Sequence, residues 1–128
     1  MRYRTLAGEN VSVLGFGCMR FPTNEEGKID RDKSSAMIEK AIESGVNYFD
    51  TAYVYHNGES ESFLGDVLSG GLREKVKIAT KLPTWEVKSE ADFDRLLNEQ
   101  LKKLKTDHID FYLLHALDNN RFVNIVMK

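Results

Sequence analysis

Four short apolar runs recur along this chain with helix-patterned segments between them, and that alternation limits the fold more than any other feature. The runs are VSVLGFG, VNYF, VKIA and HIDFYLL. Strands that alternate with helices build parallel α/β sheets. The runs are mostly continuous rather than strictly alternating. Strands of that kind are buried on both faces, as in doubly wound sheets and (β/α) barrels. In either architecture, ligands and chemistry gather at the carboxyl ends of the strands.

The order of elements follows from local signals. RYRTL and VSVLGFG flank the turn residues Ala7-Gly8-Glu9-Asn10. They predict a small hairpin running into a first buried strand over Val13 to Gly17. Asn24–Lys28 is polar, contains Gly27, and reads as a loop. Asp30 or Asp32 caps a helix over Lys33–Glu43, with Met37, Ile38, Ala41 and Ile42 on one face. Gly45 ends that helix. Val46–Asp50 is a strand. Glu59–Leu68 is a second helix, stopped by Gly70-Gly71. Val76–Lys81 is the next strand. Ser89, with Asp92 three residues on, opens a third helix whose apolar stripe is Phe93, Leu96, Leu97, Leu101 and Leu104. Ile109–His115 is the fourth strand, and Asn119–Lys128 begins a further helix through Phe122, Ile125 and Val126. Gly15-Phe16-Gly17 lacks the third glycine of a dinucleotide fingerprint and opens no helix, which argues against a Rossmann reading.

Charge and cysteine content narrow the function classes. The formal net charge is −2, so no basic field points to nucleic acid or an acidic membrane. No apolar run approaches the roughly 20 residues of a membrane span. The start, MRYRTLAGENV, has no apolar leader core, and a cytoplasmic protein is the expectation. The single cysteine, Cys18, forms neither an internal disulfide nor a cysteine-based metal site and reads as small buried filler.

Three predicted strands end in residues capable of acid–base work: Asp50, Lys81 and His115. Tyr55 follows the first by five positions. A lysine beside a carboxylate is a paired cation, and a cation beside a phenol favours the phenolate. The phenol then becomes a usable proton donor and acceptor. His115 is suited to donating a hydrogen bond to a carbonyl oxygen or relaying a proton. Together the four suit reduction of a carbonyl, in which the oxygen is protonated as hydride reaches carbon. No side chain donates hydride, so a cofactor must.

The stretches VSVLGFGCMR, GVNYFDTAYVYHNGESESFLG, VKIATKLP and DFYLLH resemble the aldo-keto reductase family over nearly the whole chain, from about Tyr3 to His115. GFGCMR and NGESESFLG look most like its bacterial members. The resemblance implies a (β/α)8 TIM-type barrel, NADPH as cofactor and a small carbonyl substrate. It implies Tyr55 as general acid, Lys81 as the cation that favours its ionised form, Asp50 as the partner of Lys81, and His115 as the group orienting the substrate carbonyl. Met19 and Arg20, with Asp50, fall where the family contacts the cofactor's ribose region.

A TIM barrel takes about 250 residues, whereas this chain has 128 and four predicted βα strands. Residues 1–128 are therefore expected to form the N-terminal half of a barrel, with the phosphate-binding units after strands 7 and 8 lying elsewhere. Open edges at both sides of such a half-sheet invite self-association. Three other readings stand beside the reductase: a truncated inactive half-barrel, a cofactor-sensing or interaction module, and a Schiff-base enzyme using Lys81. Among the remaining singular residues, His56 reads as solvated more readily than as pocket lining. His108 reads as structural, and Trp85 equally as packing or as a wall of the site.

Overall fold

The computed structural model describes residues 1–127. It opens with an antiparallel hairpin of β1 (Tyr3–Leu6) and β2 (Glu9–Ser12). Its two-residue turn carries positive φ at both Ala7 and Gly8, at 49° and 86°, as the favoured type I′ hairpin turn requires. Asn47 ties this hairpin to the rest of the fold. It accepts from the Ser12 amide at 2.6 Å and donates from Nδ2 to Asn10 O at 2.9 Å.

A four-stranded parallel sheet follows, in the order β3 (Phe16–Gly17), β4 (Tyr48–Asp50), β5 (Lys77–Pro83) and β6 (Phe111–His115). The connecting helices are α1 (Arg31–Glu43), α2 (Glu59–Leu68) and α3 (Ala91–Leu104). The parallel register pairs Gly17 with Asp50, Asp50 with Ala79, and Lys81 with Leu113. The ends of β3 and β4 are therefore level, and those of β5 and β6, paired at Pro83 and His115, lie further along.

Helix boundaries obey their caps. Asp30 accepts from the Lys33 amide and starts α1. Gly45, at φ +90°, ends it, with its amide bonded to Ile42 O and the Val46 amide to Ala41 O. That pair of bonds is a Schellman motif. In α3, the Asp92 carboxylate accepts from the amides of Lys88 and Ser89, and the Asp92 amide donates to Ser89 O. The core lies between sheet and helices, with Phe49, Phe63, Ile38, Leu64, Leu68 and Ile78 fully buried.

Two expectations are corrected. The first buried strand, expected over Val13–Gly17, is only Phe16–Gly17, and Val13 and Leu14 are each 61% exposed. The Val13 amide is taken by Arg2 O of the hairpin, and Ser12 Oγ bonds Leu14 O, so the chain turns before it joins the sheet. Burial on both faces holds for β5 but not for β6, where Tyr112, Leu113 and Leu114 are exposed, because β6 is an edge strand. The tail forms one short turn of helix, α4 (Asn119–Arg121), continued by a wider π-type turn over Phe122–Val126. Lys128, the last residue of the expected tail helix, lies outside the described residues.

No helix among the described residues is long and apolar enough to cross a membrane.

Candidate active site

The register of the sheet determines which side chains meet. Asp50 is level with Ala79, and Lys81 lies two residues further along β5, so both project from the same face. Lys81 Nζ donates to Asp50 Oδ1 at 2.8 Å, to Thr51 O at 2.7 Å and to Tyr55 Oη at 3.2 Å. Three acceptors for three N–H groups describe an ammonium ion held in a fixed direction. An amine engaged with three acceptors is poorly placed to attack a carbonyl, which weighs against a Schiff base. The ammonium also lies 4.7 Å from the centre of the Tyr55 ring.

His115 completes the group at the end of β6. Its ring meets Tyr55 edge-on at 6.1 Å and Trp85 at 5.1 Å. Thr84 Oγ1 fixes its backbone by donating to His115 O at 2.7 Å. Burial, and then the nearby Lys81 cation, push the imidazole below its ordinary pKa, with Asp50 opposing weakly. His115 therefore stands neutral near pH 7. Its buried Nδ1 has no partner among the described residues. Trp85, half-exposed against His115, stands beside the site rather than in the core.

Tyr55 is held by a loop that is pinned from below. Thr51 and Ala52 are fully buried, and the Thr51 amide bonds Ala79 O at 2.9 Å. The Thr51 and Ser60 hydroxyls lie 2.8 Å apart, and Ser60 Oγ donates to Cys18 O at 2.8 Å. Immediately after Tyr55, His56 and Asn57 take left-handed backbone angles, with φ of 51° and 53°. Non-glycine residues adopt that region at a cost.

His56 is not merely solvated, as its loop position suggested. Its Nε2 accepts from the Phe21 amide at 2.9 Å, and its ring packs on Phe21 at 5.6 Å. It therefore clasps the Tyr55 turn to the loop after β3. That loop carries Met19 and Arg20, both exposed, and the Cys18 amide bonds Asp50 O at 2.8 Å. Arg20 makes no ion pair or side-chain hydrogen bond among the described residues. A Cβ added at Gly17 would meet nothing within 4 Å, so the surface beyond the end of β3 is open. His108 pairs with Asp107 at the opposite end of the strands, and Cys18 is wholly buried with its thiol pushed far up by burial.

Sequence reasoning missed a buried polar group behind the site. Glu61 on α2 is fully buried, and its Oε1 accepts from Thr80 Oγ1 at 2.7 Å and Gln100 Nε2 at 2.6 Å. Burial raises the Glu61 pKa, against the pull of Thr80, Gln100, Lys103 and Lys81. A signal was present, because Glu61 shares the helical stripe of Leu64, Gly65 and Leu68, and Gln100 shares that of Leu96, Leu97 and Leu104.

Comparison with known proteins gives the family. The model of the aldo/keto reductase family matches residues 13–125. The chain belongs to the aldo/keto reductase family. It is 34% identical to an uncharacterized oxidoreductase, YqkF, of Bacillus subtilis, over 91% of this chain and 39% of that protein. Among solved structures, it matches the holo form of aldo-keto reductase AKR11C1 from Bacillus halodurans with a TM-score of 0.75 and 34% identity, covering 88% of this chain and 40% of that one. An aldo-keto reductase from Klebsiella pneumoniae in complex with NADPH matches at 0.76 and 27%, over 93% and 41%. This aldo/keto reductase chain thus spans about 40% of the length of these relatives, in which its four βα units are part of a TIM-type barrel.

Proposed function

We propose that this chain carries the proton-transfer site of an NADPH-dependent reduction of an aldehyde or ketone to an alcohol. The observation that carries the reading is the Lys81 ammonium, 2.8 Å from Asp50 Oδ1 and 3.2 Å from Tyr55 Oη, with the His115 ring against Tyr55. The chain's own residues fit the ribose and nicotinamide end of the cofactor. They offer an open surface beyond Gly17, the exposed Met19 and Arg20, and the carboxylate of Asp50, one-third exposed. When bound there, NADPH supplies a hydride to the carbonyl carbon.

Tyr55 gives its hydroxyl proton to the carbonyl oxygen as that carbon is reduced, leaving the alcohol and a phenolate. The Lys81 cation stabilises the negative charge on Tyr55 Oη, and Asp50 keeps Lys81 charged and directed. Neutral His115 orients the carbonyl oxygen by a hydrogen bond. The Tyr55 phenolate then regains its proton from solvent.

Tyr55→Phe tests this in a full-length barrel that carries these residues, because the chain spans about 40% of the length of its relatives. NADPH fluorescence titration reads binding, and loss of NADPH absorbance with an aromatic aldehyde reads turnover. Turnover is expected to fall by a factor of about 10² or more, the usual worth of a general acid, with binding retained. Equal turnover in the variant refutes the assignment.

A second reading draws on the exposed Val13 and Leu14 beside β3 and on Leu113 and Leu114 in β6. Open parallel edges bordered by apolar residues favour association of copies edge to edge. Sedimentation velocity that finds only a folded monomer at high concentration rejects it.

A further inference from the structure

We infer that Glu61 is a positioning residue for Lys81, acting through Gln100 and Thr80 from the helix side of the sheet; this rests on the reading of Lys81 as part of the reaction centre. Thr80 and Lys81 are neighbours on β5, so their side chains leave opposite faces. Lys81 Nζ reaches the site. Thr80 points back toward α2 and α3, where it meets Glu61.

One amide holds this back side together. Gln100 Nε2 donates to Glu61 Oε1 at 2.6 Å and to Lys81 O at 3.0 Å, with Thr80 Oγ1 at 3.3 Å. Gln100 Oε1 accepts from Tyr112 Oη of β6 at 2.6 Å. The amide is therefore fixed at both ends, and it grips the backbone of the residue whose ammonium lies on the other face. Glu61 supplies the acceptor that turns the amide nitrogen toward Lys81 O.

A carboxylate is an expensive way to fill this space. Glu61 Oε2 is buried without a hydrogen-bond partner among the described residues, and Lys103 Nζ stands 3.9 Å from it while also lying 4.1 Å over the Tyr53 ring. An apolar side chain there would avoid the desolvation cost. What the carboxylate adds is direction: one oxygen accepts from the strand and the helix together, and it leaves the amide only one orientation.

The test is acylation of lysines in the full chain with an N-hydroxysuccinimide ester, with rates at Lys81 read by peptide mass spectrometry against exposed Lys102. Near-UV circular dichroism confirms the fold of each variant. Glu61→Leu and Gln100→Met each remove a directing hydrogen bond. They are expected to raise the Lys81 rate about fivefold, the net worth of one such bond as a ratio, with Lys102 unchanged. Tyr112→Phe, at an exposed edge, raises it by a smaller factor. Glu61→Gln keeps an acceptor oxygen and holds the rate near that of the parent.

A Lys81 rate in the folded variants, Tyr112→Phe included, that matches the parent overturns the inference. So does an equal rise at Lys102, which reports general loosening. Failure of the underlying reading looks different. Lys81→Met would then leave NADPH-dependent turnover unchanged while acylation of Lys81 still responds to Glu61.

Discussion

Gly65→Ala is the sharpest test of the packing behind the site, because two opposing effects predict opposite signs. A Cβ at Gly65 would lie 2.6 Å from Lys103 O, 2.7 Å from Leu104 C and 2.8 Å from Leu104 Cα. All three are backbone atoms of α3, so no side chain can swing aside. Relief to an ordinary 3.4 Å contact requires the end of α3 to retreat by about 0.8 Å. Gly65 is one turn beyond Glu61 on the same face of α2. The same retreat would stretch the 2.6 Å bond from Gln100 to Glu61 past the normal range. Alanine gains about 1 kcal/mol in helix propensity. Overpacking costs about 1–3 kcal/mol, and a weakened buried hydrogen bond about 1–3 more. The expected net loss is about 1–5 kcal/mol, which near the middle of that range is roughly 10 °C in melting temperature by circular dichroism. Gly70→Ala is the control, since a Cβ there meets nothing within 4 Å. A Gly65→Ala chain that melts at or above the parent temperature refutes the close-approach argument, because propensity alone would then be acting.

Three further outcomes are expected. Asp110→Ala strips the partner from the Arg73 guanidinium at 2.9 Å and from the Ile78 amide at 2.8 Å, both at a nearly buried carboxylate, and costs about 3–5 kcal/mol in urea unfolding. Ser60→Ala breaks the hydroxyl link between Thr51 and Cys18 O and costs about 1–3 kcal/mol, visible as faster amide exchange at Thr51 and Ala52. His115 carries a folded pKa below its ordinary value, so the unfolded chain takes up the proton first as pH falls below about 6.5. Its contribution is complete above that pH and is lost as pH drops toward the folded value. The parent should therefore lose more stability than His115→Asn between neutral and mildly acidic pH. Parallel urea midpoints for the two chains would contradict this.

Much of the scaffold was legible because its signals are local. Asp30, Gly45 and the Ser89–Asp92 pair act within a few residues, and the bounds of α2 followed from its own stripe and stop. The catalytic candidates were legible for a related reason. A parallel sheet gathers the carboxyl ends of its strands on one side, with Lys81 two residues beyond the level of Asp50 and His115 level with Pro83, so these residues lie near one another. What escaped the sequence depends on distant partners. Val13 and Leu14 have a strand's composition, yet the hairpin claims the Val13 amide and, among the described residues, no strand lies beyond β3. His56 has a solvated look until Phe21, 35 residues earlier, is placed beside it. Glu61 and Gln100 sit on apolar stripes, and their polarity only makes sense once β5 and the two helices are packed together.

Arg73 and Asp110 lie at the starts of the strands whose ends carry Lys81 and His115. Ile78 and Phe49, both fully buried, lie between the two ends. One ion pair thus belongs to the architecture and the other to the proposed chemistry, with an insulating layer between. An engineer, or a drifting lineage, can rewrite the loops beyond Asp50, Lys81 and His115 while the foundation at Asp110 stays as it is.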